Sequence, residues 1–296
     1  MNRLFAALFL LPLLLAPGAR ADSLARIHAS HTLVLGFLAD NAPFSEGDEH
    51  AASGYAIDLC QALAARLRSA PGLADLQVRY QPLPLEQALA AVSGGQVDLF
   101  CSPLVETLQR RESVSFSLPV FTAGLGVILR RDADATLQAA LSGAPRERTP
   151  TWRGTVNQGL NKRSFAVLKG TTNVQWAQQR VRELGLQSRL VEVASYQDGV
   201  DRVLRREVDA FFGERLSLLN YQARSAQADR LQVSDHLFEM ASVALPLPRN
   251  DDAFRLEVDH ALSDALRGAA GEALYSRYFG PPSPQQRLLL RLYSLP

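Results

Sequence analysis

Long apolar runs are scarce in this 296-residue chain; beyond residues 4–15 none would span a bilayer as a helix, and that one is itself too short. Cysteine is nearly missing. Cys60 and Cys101 are the only two, too few for the usual structural zinc sites, and the five histidines show no ligand spacing. An excess of one charge is lacking too: 31 Lys and Arg face 30 Asp and Glu, so the balance gives no attraction to nucleic acid or to a membrane surface. No Gly-x-Ser-x-Gly, metal-ligand helix, phosphate loop with its lysine or other nucleophile–base constellation occurs. These absences leave a globular chain with no metal or cofactor chemistry on display.

Residues 1–21 carry Arg3, then an apolar run, then Pro17-Gly18-Ala19-Arg20-Ala21, the order of a secretory signal, with cleavage expected after Ala21. Loss of Arg3 and Arg20 leaves 29 basic against 30 acidic residues, still no field for a polyanion. After export the two cysteines meet oxidising conditions. Export plus a count of two gives the expectation of a Cys60–Cys101 disulfide, two separate buried thiols being the alternative.

The chain uses one pattern twice. In residues 85–101, Leu85, Ala88, Leu89 and Val92 recur at helical spacing, Gly94-Gly95 stops the helix, and Val97-Asp98-Leu99-Phe100 reads as a short buried strand. Residues 196–212 repeat it with Val200, Val203 and Leu204, then Val208-Asp209-Ala210-Phe211. Chance is the competing explanation, since helix–strand units are common. The flanking segments extend the match. Residues 32–37 read as a strand, a helix runs from Tyr55 to a stop before Pro71-Gly72, and residues 76–80 alternate as a strand, a β-α-β-α-β series. A second series has a strand over 165–168, a helix over about 173–184 and a strand near 190–193. Long apolar extended runs at 121–129 and 238–247 would cross between the two units, residues 254–266 are helical by spacing, and a leucine-rich tail closes the chain. Residues 132–163 lack periodicity and read as a surface insertion. In open α/β sheets ligands sit beyond the strand ends, so the loops there matter most.

Among those loops, Lys169-Gly170-Thr171-Thr172 opens a helix whose N–H groups suit a carboxylate, though Thr171 or Thr172 would equally serve as a simple N-cap. Arg110 has the fork for a bidentate carboxylate contact; on its own an Arg-Arg pair is more often solvated surface.

The order of motifs gives more. Ala42-Pro43-Phe44, Gly54-Tyr55-Ala56-Ile57-Asp58-Leu59, Gly95-Gln96-Val97-Asp98, Arg110, the run from Val114 to Phe121, Lys169-Gly170-Thr171-Thr172, Val208-Asp209-Ala210-Phe211 and Tyr278-Phe279-Gly280 together resemble family 3 periplasmic solute-binding proteins, the polar amino-acid receptors of ABC importers. The resemblance implies an α/β, two-lobed type II periplasmic-binding-protein fold, each lobe an open mixed sheet flanked by helices, with two hinge crossings. The lobes would comprise residues 22–129 plus 239–296, and 130–238. It further implies a periplasmic, monomeric receptor for a small amino acid or related carboxylate, partnered by an inner-membrane ABC permease, with no cofactor, no metal and no nucleic acid.

By the same resemblance Arg110 is the carboxylate clamp, Thr171 supports it from the second lobe, and Glu214 stands where an aspartate usually meets the ligand's ammonium. Phe44 and Tyr55 flank the first-lobe side of the cleft, with a core role as the alternative for either. Asn41, Ser102 and Val105 complete the expected ligand set. Three departures stand out. A Gly-Ser-Thr-Thr run of the glutamate/aspartate branch reads Ser102-Pro103-Leu104-Val105 here, which removes a backbone donor at Pro103 and a hydroxyl at Val105. Asn41 replaces a frequent aromatic. Leu38 occupies a place where acidic-ligand receptors tend to carry a base. The competing classes are a dehydratase-like enzyme on the same scaffold, with Glu214 as the acid or base, and a ligand-presenting sensor without a transporter.

Overall fold

The structure, a computed structural model, describes residues 22–143 and 159–296. The expected signal and much of the expected insertion, residues 144–158, lie outside the described residues; the part of the insertion before them forms a helix, Ala135–Leu141.

The first lobe begins with α1 (Ser23–Ser30) and β1 (Thr32–Phe37), followed by α2 (Tyr55–Arg68), β2 (Gln77–Pro82), α3 (Leu85–Ser93) and β3 (Leu99–Phe100). Strand β1 lies between β2 and β3, parallel to both. The apolar stripe of α2, Ile57, Cys60, Leu63, Ala64 and Leu67, is buried in one core with Leu33, Leu35 and Phe37 of β1, as its spacing requires. The start of α2 is fixed by the loop before it: the N–H groups of Tyr55 and Ala56 donate to the Pro43 and Phe44 carbonyls at 3.0 and 2.9 Å. Gly54 makes this approach possible. Its φ is +130°, and a Cβ there would fall 2.4 Å from the Phe44 carbonyl oxygen, so Gly54→Ala is excluded by both strain and contact.

After β4 (Leu104–Val105) and α4 (Leu108–Arg111) comes β5 (Ser115–Arg130), long enough to run from one lobe into the other. The second lobe then repeats the first: β6 (Ser164–Leu168), α5 (Thr172–Glu183), β7 (Arg189–Val193), α6 (Tyr196–Leu204) and β8 (Ala210–Glu214), with β6 between β7 and β8 and parallel to both. Thus the repeat found in the helix–strand pairs extends to a whole β-α-β-α-β unit with the same strand order.

Each repeated aspartate has the same task. Asp98 donates its N–H to the Val34 carbonyl and accepts the Val34 N–H on Oδ2 at 2.7 Å; Asp209 does the same with Ser164, at 2.8 Å in both directions. A guanidinium stands beside each, Arg26 bonded to Asp98 and Arg163 3.9 Å from Asp209. This clasp replaces ladder pairing at the strand start, so the expected strands over 97–100 and 208–211 begin two residues late, at Leu99 and Ala210. Asp98 is 2% exposed, and its truncation would leave the Val34 N–H without its partner and remove the Arg26 contact. Asp98→Ala is therefore expected to cost about 2 kcal/mol, read as a lower midpoint in urea unfolding.

The chain continues through α7 (Arg215–Arg224) and β9 (Leu231–Val233), which pairs with β5, and returns through β10 (Glu239–Leu247). Strands β5 and β10 pair antiparallel, Glu239 opposite Leu125 and Val243 opposite Phe121, so the two crossings form one ribbon. At its first-lobe end, Phe44, Tyr55, Phe121 and Phe279 pack ring on ring, with centroids 5.0–6.4 Å apart. Helices α8 (Asp252–Leu266), α9 (Gly268–Phe279) and α10 (Pro284–Tyr293) complete the first lobe. The expected tail is thus a helix, started by a Ser283–Gln286 capping box and held to the first-lobe core by Leu290 and Tyr293.

Cys60 on α2 and Cys101 after β3 form a disulfide, with Cα atoms 6.2 Å apart. Thiol labelling of the unreduced, denatured protein is expected to find no free thiol; two per chain would contradict the bond.

Candidate ligand-binding site

A cavity of about 390 Å³ lies between the lobes, walled by the loops after β1, β3, β6 and β8 and by the ribbon. These are the carboxyl ends of the parallel strands, where an open α/β sheet leaves backbone groups and loop side chains to face a ligand.

Arg110 is the only cationic side chain on the cavity wall among the described residues. Thr107 caps the short helix that carries it, its hydroxyl accepting the Arg110 N–H at 3.1 Å. The guanidinium bridges the lobes, Nη1 donating to the Val105 carbonyl at 2.6 Å and Nη2 to the Gly170 carbonyl at 3.1 Å. Gly170 presents that carbonyl from a φ of +78°. Burial draws the Arg110 pKa down from its usual value, yet no carboxylate lies within ion-pair distance among the described residues. A desolvated guanidinium held only by carbonyls retains N–H groups and an uncompensated charge, the requirements of an anion seat.

Thr171 faces the cavity at the start of α5. Its hydroxyl donates backwards to the Leu168 carbonyl at 2.6 Å, and the helix N-terminus is left without a side-chain cap. The positive end of a 12-residue helix therefore opens on the same cavity as Arg110. Glu214 ends β8 and caps α7, accepting the Ser217 N–H at 2.8 Å, while its own N–H donates to the Tyr196 hydroxyl at 3.0 Å. Burial pushes its carboxyl up to about 7, against backbone donors at Ser217, Gly124 and Leu216 that favour the anion. It has no cation within ion-pair distance among the described residues.

Asn41, Phe44, Val105, Arg110, Thr171 and Glu214 all border the cavity. Tyr55 and Ser102 do not. Tyr55 is fully buried in the aromatic cluster with its hydroxyl donating to the Val120 carbonyl at 2.9 Å, because the first turn of α2 faces inward. Ser102 is also fully buried, its hydroxyl accepting the Leu38 N–H at 2.8 Å and bonding the Ser45 hydroxyl at 2.6 Å, which spends it on holding two loops together. The altered loop keeps only Pro103, Leu104 and Val105 on the wall, and Leu104 and Val105 pair with β10. Trp176 escaped the sequence reading. Its signal is its spacing from Thr172: residues 172, 176 and 179 share one helix face, and all three line the cavity.

The lobes touch beyond Arg110. Lys169 of the second meets Glu86 of the first at 3.0 Å, Arg224 holds Glu46 with both nitrogens, and the Gln197 N–H donates to Asp40 at 3.3 Å. The exposed pairs contribute about 0–1 kcal/mol each, so they mark a closed arrangement without locking it.

Comparison with known proteins agrees with this architecture. Residues 33–281 match the family of bacterial extracellular solute-binding proteins, family 3. The chain is 20% identical over 274 residues to a glutamate/aspartate import solute-binding protein of Salmonella typhimurium, covering 92% of this chain and 84% of that one. It is 22% identical over 270 residues to an L-glutamate/L-aspartate-binding protein of Pseudomonas aeruginosa, with 90% and 83% covered. Among solved structures, an amino acid ABC transporter substrate-binding protein from Streptococcus pneumoniae bound to L-arginine superposes with a TM-score of 0.68 at 20% identity, covering 86% of this chain and 97% of that one. An ancestral amino acid-binding protein described as a precursor of cyclohexadienyl dehydratase gives 0.68 at 22% identity, covering 88% and 100%. With a two-lobed α/β fold, a cleft at the strand ends and a match over most of its length, the chain belongs to the bacterial extracellular solute-binding proteins, family 3.

Proposed function

We propose that this solute-binding protein is an exported receptor that closes on one small amino acid or related carboxylate and presents it, unchanged, to an inner-membrane ABC permease. The observation that carries the reading is Arg110, a half-buried guanidinium bridging two lobes through carbonyls and lacking an anion partner among the described residues. The uncapped start of α5 adds donors for the same anion. Export is supported by the disulfide, which persists in oxidising compartments, and by the signal-like composition of residues 1–21. In this reading the hinge is the β5–β10 ribbon, the lobes are residues 22–129 plus 239–296 and residues 130–238, and the receptor acts as a monomer. Small-angle scattering is expected to show a smaller radius of gyration on saturation with ligand; a protein that stays open when saturated would contradict lobe closure.

A dehydratase-like enzyme on the same scaffold is the second reading. Glu214 favours it, because a carboxyl that titrates near neutrality at the edge of a cleft can give and take a proton. Incubation of protein with its ligand followed by mass analysis separates the two: recovered ligand of unchanged mass supports the receptor, conversion supports the enzyme.

A further inference from the structure

We infer that the loop from Asp40 to Glu46 is a closing latch: it docks on the second lobe and, with Arg224, sets how tightly the cleft holds its ligand without these charged residues touching that ligand. The inference deepens the reading of the protein as a receptor whose lobes close, and rests on it. The loop is built into the first lobe. The Pro43 and Phe44 carbonyls accept the Tyr55 and Ala56 N–H groups at 3.0 and 2.9 Å, and the Ser45 hydroxyl, bonded to the buried Ser102 hydroxyl, donates to the Leu38 carbonyl at 2.9 Å. Phe44 packs in the first-lobe core. Ala42, two residues earlier and fully buried, instead shares an apolar cluster with Tyr196, Leu218 and Tyr221 of the second lobe.

On either side of Ala42 the loop offers a carboxylate to a second-lobe donor. Asp40 accepts the Gln197 N–H at 3.3 Å, in the first turn of α6, where the positive end of the helix favours an anion. Glu46 accepts from both Nη atoms of Arg224, the last residue of α7, one of them at 2.8 Å. The Lys169–Glu86 pair has the same polarity, the first lobe supplying the carboxylate and the second the cation. Charges sorted by lobe in this way attract as the cleft shuts, and opening separates them. Asp40, Ala42, Glu46 and Arg224 lie off the cavity wall, whereas Asn41 and Phe44 of the same loop lie on it. Docking the loop therefore seats part of the ligand wall, and the closed population it maintains scales the apparent affinity.

The test has a readout that needs no ligand. Lys162 and Lys169 are the only lysines in the sequence, so a carbodiimide crosslink that joins the Lys169 amine to the Glu86 carboxylate, with loss of water, reports the closed arrangement specifically. In protein dialysed free of ligand, Arg224→Glu, which sets two carboxylates against each other, is expected to slow this crosslink by about threefold or more. Glu46→Arg combined with Arg224→Glu restores the attraction with its sign reversed and is expected to recover the parent rate. Native mass spectrometry with an equimolar mixture of L-amino acids should show half-saturation at about three- to tenfold higher concentration for Arg224→Glu, and a return towards the parent for the double variant. A parent-like crosslinking rate or parent-like saturation in Arg224→Glu would overturn the latch and leave the receptor reading standing. So would a loss that the double variant does not restore, or a parent that binds amino acids without forming the crosslink. A parent that takes up no amino acid, while crosslinking follows the charges, would overturn the receptor reading and leave the docked loop in place.

Discussion

Arg110→Ala is expected to weaken ligand binding by about 2–5 kcal/mol while the protein stays folded. The cost is large because the ligand carboxylate would enter a water-poor cleft with its main counter-charge gone, leaving a buried anion that only the α5 N-terminus can meet. The fold should tolerate the change. Arg110 is half-buried, its side chain bonds only to the carbonyls of Val105 and Gly170 among the described residues, and the Thr107 hydroxyl caps the helix through the Arg110 backbone N–H, which the substitution keeps. Arg110→Lys is expected to recover only part of the affinity, since an ammonium cannot reproduce a two-pronged contact. Calorimetric titration measures both; parent-like affinity in Arg110→Ala would remove the guanidinium from the ligand's carboxylate.

Glu214 gives the second large effect, and it appears as pH dependence. Its carboxyl is raised from an ordinary 4.5 to about 7 by burial, so the folded chain holds this proton more tightly than the unfolded chain. A group raised on folding contributes stability that is fully present below pH 4.5 and is lost as pH rises through 7, on the order of 3 kcal/mol at about 1.4 kcal/mol per unit. The titratable neighbours whose charges reach Glu214 are Tyr196 and Tyr275; burial raises both phenols, so they stay neutral throughout this window. The stability difference between the parent and Glu214→Gln, whose amide oxygen still accepts the Ser217 N–H, should therefore shrink or reverse between pH 5 and pH 8. A flat difference in urea unfolding would contradict the assignment. Ligand binding has the opposite sign: an ammonium beside Glu214 favours the anion, so binding releases a proton and affinity should rise about tenfold from pH 6 to pH 8.

Much of the fold is legible in the sequence because hydrophobic spacing and local stops decide it. The stripe of α2, the Gly94-Gly95 stop after α3 and the apolar crossings all follow from residues close in the chain. Tertiary demands override the rest. The leucine-rich tail becomes a helix because Leu290 and Tyr293 reach a core assembled from residues far upstream, and Asp98 and Asp209 shorten their strands by serving a neighbouring strand. The site divides in the same way. Arg110, Thr171 and Glu214 lie on loops at strand ends, which chain order locates. Tyr55 and Ser102 lie one layer behind, because which face of a helix or loop turns inward depends on the aromatic cluster and on Ser45, and neither is visible from spacing.

The central claim is that the cleft binds one small amino acid through Arg110 and leaves it unchanged. Native mass spectrometry of the parent and Arg110→Ala, each incubated with an equimolar mixture of amino acids, tests it most directly. The predicted result is a single bound amino acid of unaltered mass on the parent, released on unfolding, and a bare chain for the variant. An equal adduct on both proteins, no adduct on the parent, or a bound mass that differs from every amino acid supplied would contradict it.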